Sequence, residues 1–355
     1  MALTLYVDTA RWRAHLDQVV ASYPRIVPVA KGNGYGFGLA NLAREAARLE
    51  VDTLAVGTPE ELAEVADHFP GDLLVLTPIR SAQIQRLQER TAGAGEVDPS
   101  RVIHTVSRLA DLIVLSDGPG EPRVVVELFS SMRRHGIPTE DLATVAKLLD
   151  GVRCEGWALH LPLPGFGDHV AEINTCIERI RDAGAPLERL WVSHVTPEEL
   201  AELRSANPEV EIRPRVGTKL WLSDREAYQA RAELLEVHPV RRGDRFGYRQ
   251  RRVPGDGHLL VVSGGTSHGV ALEAPSHVED LRTRARVLAV SSLEAAGRAL
   301  SPFTVAGQRR WFAEPPHMQV SVVFLPASVP PPEVGTELPV NVGMTLTRFD
   351  RIVFE

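Results

Sequence analysis

The chain has 355 residues, of which 44% are hydrophobic and 24% charged, and it carries a net charge of −7. That is ordinary globular material with enough apolar residues for one large or two unequal domains. The acidic surplus gives no electrostatic case for nucleic acid or an anionic membrane as partner. Only two cysteines occur, Cys154 and Cys176, and the start MALTLYVDTARW lacks a basic-then-apolar leader. Both features point to reduced thiols in a cytoplasmic protein. No apolar run approaches membrane-spanning length.

Leu3 to Val7 reads as a lone strand, and Asp8-Thr9 caps a helix from Arg11 to Ser22. Strands are then expected at Ile26–Ala30, Thr53–Gly57, Leu73–Thr77, Val102–Val106 (with Leu112–Leu115 as a substitute), Arg123–Leu128, Cys154–His160, Leu190–Val195 and Glu211–Val216. Helical patterns lie between them at Pro59–Phe69, Thr139–Leu149, Val170–Ala183 and Pro197–Ser205. Such alternation over roughly two hundred residues predicts a closed (β/α)8 TIM barrel, with a doubly wound open sheet as the other solution. Beyond about residue 225 the helical period fades. Short strands at Leu259–Ser263, Arg286–Val290, Val320–Phe324, Glu337–Val340 and Arg351–Phe354 predict a smaller all-β C-terminal domain. The expected division is a barrel domain over 9–225 and a β domain over 226–355 that also takes strand 1–8. Val329-Pro330-Pro331-Pro332 reads as a stiff surface loop, and Arg249-Gln250-Arg251-Arg252 as a solvated face.

One stretch carries chemistry. Val27-Pro28-Val29-Ala30 ends in Lys31, and Gly32, Gly34, Gly36 and Gly38 then alternate with other residues before a helical pattern begins at Leu39. A P-loop needs its lysine after the glycines, and the GxGxxG spacing of a dinucleotide site fails in every frame. A surface lysine beside a turn remains open on this stretch alone. Barrel enzymes work at the carboxyl ends of their strands, and the strand ends here supply Lys31, Glu127, His160, Ser193, His194, Arg215, Gly217 and Thr218. One amine, a guanidinium and donors after the last two barrel strands suit a phosphorylated carbonyl ligand such as pyridoxal 5′-phosphate (PLP). Glu127, His160 and His194 could instead be metal ligands of a hydrolase barrel.

Val29-Ala30-Lys31-Gly32-Asn33-Gly34-Tyr35-Gly36 resembles the cofactor-lysine motif of alanine racemases, the fold-type III PLP enzymes. Met132-Arg133-Arg134-His135-Gly136 and Arg213-Pro214-Arg215-Val216-Gly217 are similar to two further motifs of that family. Arg242-Gly243-Asp244-Arg245-Phe246-Gly247-Tyr248 and Pro316-His317-Met318-Gln319 resemble its β-domain motifs, so the likeness spans nearly the whole chain in order. The resemblance implies that Lys31 holds PLP covalently and acts as acid/base on one substrate face. It implies phosphate donors in Tyr35, Thr196 (or Ser193), Gly217 and Thr218, and places Arg134 near the phenolic oxygen. His160 would line the ring and support Arg215, which would face the pyridine nitrogen. An always-charged guanidinium cannot protonate that nitrogen, so the ring is a weaker electron sink. A homodimer with shared active sites and an amino-acid substrate, usually alanine, are also implied.

The departures are equally specific. Glu127 stands where the family has a lysine, often carbamylated, that orients the arginine equivalent to Arg134. A carboxylate is a reasonable stand-in. The family's second-face tyrosine is absent from Ser263-Gly264-Gly265-Thr266-Ser267-His268-Gly269, where Thr266 falls at or beside its place and His268 has the side chain suited to proton transfer. Gln319 replaces an aspartate after Met318, a substrate-supporting position. Racemisation by Lys31 with His268 or Thr266 is therefore the leading expectation. A one-face PLP lyase, aldolase or decarboxylase, or a non-catalytic PLP carrier or regulatory protein, stands beside it.

Overall fold

The computed structural model describes residues 2–84, 97–272 and 299–355. The chain divides into two compact units, one of residues 14–34 and 38–223, the other of residues 1–13, 35–37 and 224–355. The strand expected at Arg286–Val290 lies outside the described residues.

The first unit is a closed parallel barrel. Its strands are β2 (Val27–Ala30), β3 (Thr53–Val56), β4 (Asp72–Val75), β5 (Val102–Val106), β6 (Arg123–Leu128), β7 (Arg153–Leu159), β8 (Arg189–Ser193) and β9 (Glu211–Val216). Closure is direct: Val29 pairs with Ala55 on one side of β2, and Val27 pairs with Arg215 on the other. Val27, Val29, Ala55, Leu74, Ile103, Val125, Ala158 and Trp191 fill the interior, so the barrel is a packed core rather than a pore. Buried strands need apolar side chains on both faces, which is why they read as near-continuous Val, Leu and Ile runs. Outside, the helix Leu39–Arg48 shows the complementary pattern, burying Leu39, Leu42, Ala43 and Ala46 at helical spacing.

Most expected barrel elements appear within a residue or two of their bounds, and the closed sheet removes the doubly wound solution. Three expectations change. Thr139–Leu149 is a 3-10 turn, Thr139–Asp141, then a helix, Leu142–Leu148, and a second 3-10 turn, Leu149–Gly151. Pro59–Phe69 is a single 3-10 turn, Pro59–Glu61, followed by a short helix, Leu62–Ala66. Leu112–Leu115 belongs to the helix Leu109–Ser116, where Leu112 and Leu115 lie three apart on its buried face.

At the amino ends of the strands the polar residues are structural. Arg123 pairs with Asp72 (2.6 Å) and Glu155 (2.7 Å), and Glu155 also takes Arg189 (2.7 Å) and Arg153 (3.0 Å). This network ties β4, β6, β7 and β8 together and leaves chemistry to the opposite mouth.

The second unit is all-β. Its main sheet runs β16 (Val320–Pro326), β13 (Gly257–Ser263), β10 (Tyr228–Val240), β1 (Leu3–Val7) and β18 (Arg351–Phe354), with β17 (Glu337–Pro339) also pairing β10. β10 is 13 residues long and was not legible in the sequence. Its inward positions are Ala230, Ala232 and Leu234, separated by Arg and Glu, and small or charged residues of this kind carry little strand propensity. Two hairpins, β11 (Arg245–Phe246) with β12 (Arg251–Arg252) and β14 (Leu300–Val305) with β15 (Gln308–Trp311), are likewise additions to the expected strands.

Candidate active site

Lys31 follows the fully buried β2 and stands at the carboxyl mouth of the barrel. Gly34 in the loop after it is a steric necessity: its φ is +61°, and a Cβ there would lie 2.6 Å from the Leu39 amide nitrogen. The loop is fastened by Glu61. Gly32 N–H donates to Oε1 (2.7 Å), while Gly57 N–H (2.7 Å) and Thr58 N–H (3.3 Å) donate to Oε2. One carboxylate thus joins the loops after β2 and β3. Partial burial lowers the Lys31 pKa, and the charges of Arg134 and Arg215 push in the same direction while Glu61 opposes them. The outcome is an amine that deprotonates more readily than a surface lysine.

Arg215, buried on β9, donates from Nη2 to the Leu159 carbonyl (2.9 Å), and its Nε has no hydrogen-bond partner. Burial lowers its pKa and the charge of Glu127 opposes that. Glu127 on β6 is itself buried, with Oε2 unpartnered. Among the described residues no hydrogen bond joins Glu127 to Arg134, and the charge of Glu127 is felt by Arg215, whose pKa it raises. His160 hydrogen-bonds Ser193 Oγ through Nδ1 (3.0 Å), not Arg215. Its pKa falls to about 3, first through burial and then through Arg215, Arg134, His194 and Lys31, so the ring stays neutral. His194 stands T-shaped to it at 5.4 Å and is lowered by burial and then by Arg215. The mouth is therefore cationic and holds its imidazoles neutral, an arrangement that favours an anionic ligand.

The expected phosphate donors fall in different settings. Ser193 Oγ also accepts from Leu161 N–H (3.0 Å). Thr196 caps the helix Pro197–Ala206, accepting from Glu199 N–H (3.2 Å) while its own N–H donates to Glu199 Oε2 (2.7 Å). Gly217 and Thr218 open the short helix Thr218–Leu222, whose first N–H groups have no intrahelical partners. Tyr35 is buried with φ 53° and groups with the β unit. Next to it, a Cβ on Gly36 would lie 2.7 Å from Met344 Cε.

In the β unit, Thr266 is exposed in a 3-10 turn and His268 is buried. His268 Nδ1 accepts from Gly265 N–H (3.2 Å), and Nε2 faces Asp350 Oδ1 at 3.1 Å. Met318 is 71% exposed, and the Ser267 hydroxyl donates to its carbonyl (2.6 Å).

Among the described residues no group of three His, Cys, Asp or Glu is placed to hold a metal ion, so Glu127, His160 and His194 do not form the metal set weighed above. Nor is any helix among them long and apolar enough to cross a membrane. Sequence reasoning missed Glu61. Its one signal was Thr58-Pro59-Glu60-Glu61 directly after a strand, which resembles an ordinary helix start.

A parallel barrel presenting one amine among arginines, with a separate β unit after it, defines the class: a (β/α)8-barrel protein of the alanine racemase fold. Residues 7–196, more than half of the chain, match the family model "Alanine racemase, N-terminal domain", and the chain belongs to that family. It is a divergent member. The alanine racemase of Campylobacter jejuni is 26% identical over 137 residues, which cover 39% of this chain and 36% of that protein. Among solved structures, the alanine racemase of D-cycloserine-producing Streptomyces lavendulae superposes with a TM-score of 0.69 at 17% identity, covering 100% of this chain and 97% of that one. The alanine racemase of Bartonella henselae, solved with covalently bound pyridoxal phosphate, gives 0.69 at 14% identity with both chains fully covered (100% and 100%). The biosynthetic alanine racemase of Pseudomonas aeruginosa gives 0.62 at 20%, covering 98% and 91%.

Proposed function

We propose that this protein binds PLP through Lys31 and catalyses proton exchange at the Cα of an amino acid, in the first instance the racemisation of alanine. The observation that carries the reading is the Lys31 amine, its pKa lowered by partial burial and by Arg134 and Arg215, on a loop locked by Glu61. The donor set fits the cofactor. A buried guanidinium with an unpartnered Nε, a neutral His160 and the exposed Arg134 supply fixed hydrogen-bond donors and positive charge for a phosphorylated pyridine. Lys31, Arg134, His160, Arg215, Gly217, Thr218 and Tyr35 would hold it. Ser193 and Thr196 support the wall that carries them.

When bound, PLP supplies an aldehyde that joins to amines and a conjugated ring that delocalises the electron pair left as the Cα proton departs. The chain's own part is to hold and move that proton. Lys31 accepts or returns it on one face, and burial with two neighbouring guanidiniums makes its amine easier to deprotonate than a surface lysine. Arg215 cannot give up its proton to the ring, which limits the electron sink and favours simple proton return over side reactions. A second copy of the chain would complete the site, as the resemblance implies.

A second reading has its own observation: both nitrogens of His268 are engaged within the β unit, and Thr266 offers only an unassisted hydroxyl. One-face PLP chemistry then stands beside racemisation. The test is an absorption spectrum before and after borohydride, with mass mapping of the reduced lysine, then deuterium exchange of L- and D-alanine in heavy water. A Lys31→Ala protein as yellow and as reducible as the wild type refutes the cofactor assignment. Products other than the enantiomer favour the one-face reading.

A further inference from the structure

We propose that His317, oriented by Glu314, is the proton-transferring group of the β unit and serves as the second-face acid/base, acting in a site completed by a second copy of the chain. The assignment rests on the Cα proton exchange proposed above and names the group that exchange lacks.

Two histidines lie on neighbouring turns of the β unit, and their hydrogen bonds separate them. His268 accepts at Nδ1 from Gly265 and is bound at Nε2 to Asp350, so no nitrogen is left for chemistry. His317 is different. Its Nε2 faces Glu314 Oε1 at 2.8 Å. A carboxylate only accepts, so this contact fixes the tautomer with hydrogen on Nε2 and the lone pair on Nδ1. Nδ1 has no hydrogen-bond partner among the described residues.

The pair is built, not incidental. Glu314 is buried, and its second oxygen accepts from Tyr248 N–H (3.2 Å). Gly247, with φ +69°, packs so closely that a Cβ there would enter the Glu314 carboxylate. The His317 backbone is held at both ends: its N–H donates to the Val320 carbonyl (2.9 Å), and its carbonyl accepts from Thr266 N–H (2.8 Å). Two stretches far apart in sequence, Arg242 to Tyr248 and Pro316 to Gln319, therefore converge on one carboxylate–imidazole pair.

The surroundings also fit a site that another chain covers. The His317 side chain is 27% exposed, against 11% for His268. The Tyr248 ring lies 4.8 Å from the His317 ring and is 86% exposed, and the adjoining Met318 is open as well. Large apolar side chains left open around an available lone pair mark an interaction surface. A buried carboxylate behind the imidazole steadies its orientation and stabilises the imidazolium formed when the proton arrives. The proton balance closes: Nδ1 takes a proton from Cα of one enantiomer, and the Lys31 ammonium gives one to the opposite face. In the reverse direction the roles exchange.

The first test needs no cofactor. Diethyl pyrocarbonate acylates an imidazole nitrogen with a free lone pair, so mass mapping of the PLP-free protein is expected to find His317 modified before His268. The second uses the PLP-loaded protein in heavy water. H317Q is expected to keep its borohydride-reducible lysine and to exchange the Cα–H of a single enantiomer, while racemisation falls about 10²–10⁴-fold. Glu314 is a positioning residue, so E314Q is expected to lower kcat roughly tenfold with KM unchanged, and E314D to recover part of the loss. Labelling that strikes His268 and spares His317, or wild-type racemisation in H317Q, overturns the assignment. Wild-type protein that exchanges neither enantiomer overturns the proposed function, and this assignment with it.

Discussion

Glu61→Gln tests whether the active lysine is set by its own strand or by its neighbour's loop. The carboxylate receives three backbone N–H groups, at 2.7, 2.7 and 3.3 Å, from Gly32, Gly57 and Thr58. A glutamine keeps one oxygen and turns an NH2 toward the other donors, so either Gly32 or the Gly57–Thr58 pair loses its acceptor. A bond from N–H to a charged acceptor contributes about 1.5–3 kcal/mol. Glu61 is partly open to solvent, which favours the lower figure. A loss of about 1.5 kcal/mol corresponds to roughly tenfold faster exchange of the orphaned amide. Glu61 is also the charge that raises the Lys31 pKa against burial and two arginines, so its removal moves that pKa further down. Native-state hydrogen exchange at Gly32 and Gly57 reads the first effect. The pH dependence of Lys31 acylation in PLP-free protein reads the second, with reactivity persisting to lower pH in E61Q. Unchanged amide exchange together with an unchanged or raised acylation midpoint would refute the role given to Glu61.

Other expectations concern the same site. His160 titrates near pH 3 when folded against 6.5 unfolded, so the unfolded chain binds the extra proton between these values and stability falls as pH drops from 6.5 toward 3. H160N is expected to flatten that fall in acid denaturation curves, and an unaltered slope would count against a neutral buried ring. Glu127→Gln removes the charge that offsets the burial of Arg215. The expected result is a lower denaturation midpoint of the barrel, which E127D should partly recover. Gly247→Ala drives a Cβ into the Glu314 carboxylate and strains a left-handed residue. It is expected to depress racemisation at least tenfold while the borohydride-reducible lysine in the barrel persists; loss of PLP binding instead would contradict the separation of these effects.

Legibility in the sequence followed burial. Arg123–Leu128 and Glu211–Val216 have the bounds expected of them because each is buried along almost its whole length and carries few breakers. The same reasoning located Lys31, since a strand end followed by obligatory glycines is a local signal. Tyr228–Val240 escaped because it packs alanines and spends its outward positions on Glu, Arg and His, so tertiary pairing overrides local preference. Glu61 and Glu314 escaped for another reason. Each acts on backbone or imidazole brought to it by folding, and a lone glutamate in a polar loop announces nothing. The glycines beside them, Gly57 and Gly247, are legible only once the carboxylate they accommodate is in place.

The placing of Leu3–Val7 in the β-unit sheet has a cost during biosynthesis. Its partners are Tyr228–Val240 on one edge and Arg351–Phe354 on the other, with Thr4 matched to Arg351. At about 5–20 residues per second, translation leaves this apolar segment without the later of its two partners for roughly 20–70 s. Throughout that interval its bare amides invite stray pairing between nascent chains. Recombinant yield should therefore respond to slow, cool expression and to holdase chaperones more strongly than the stability of the finished β unit would suggest.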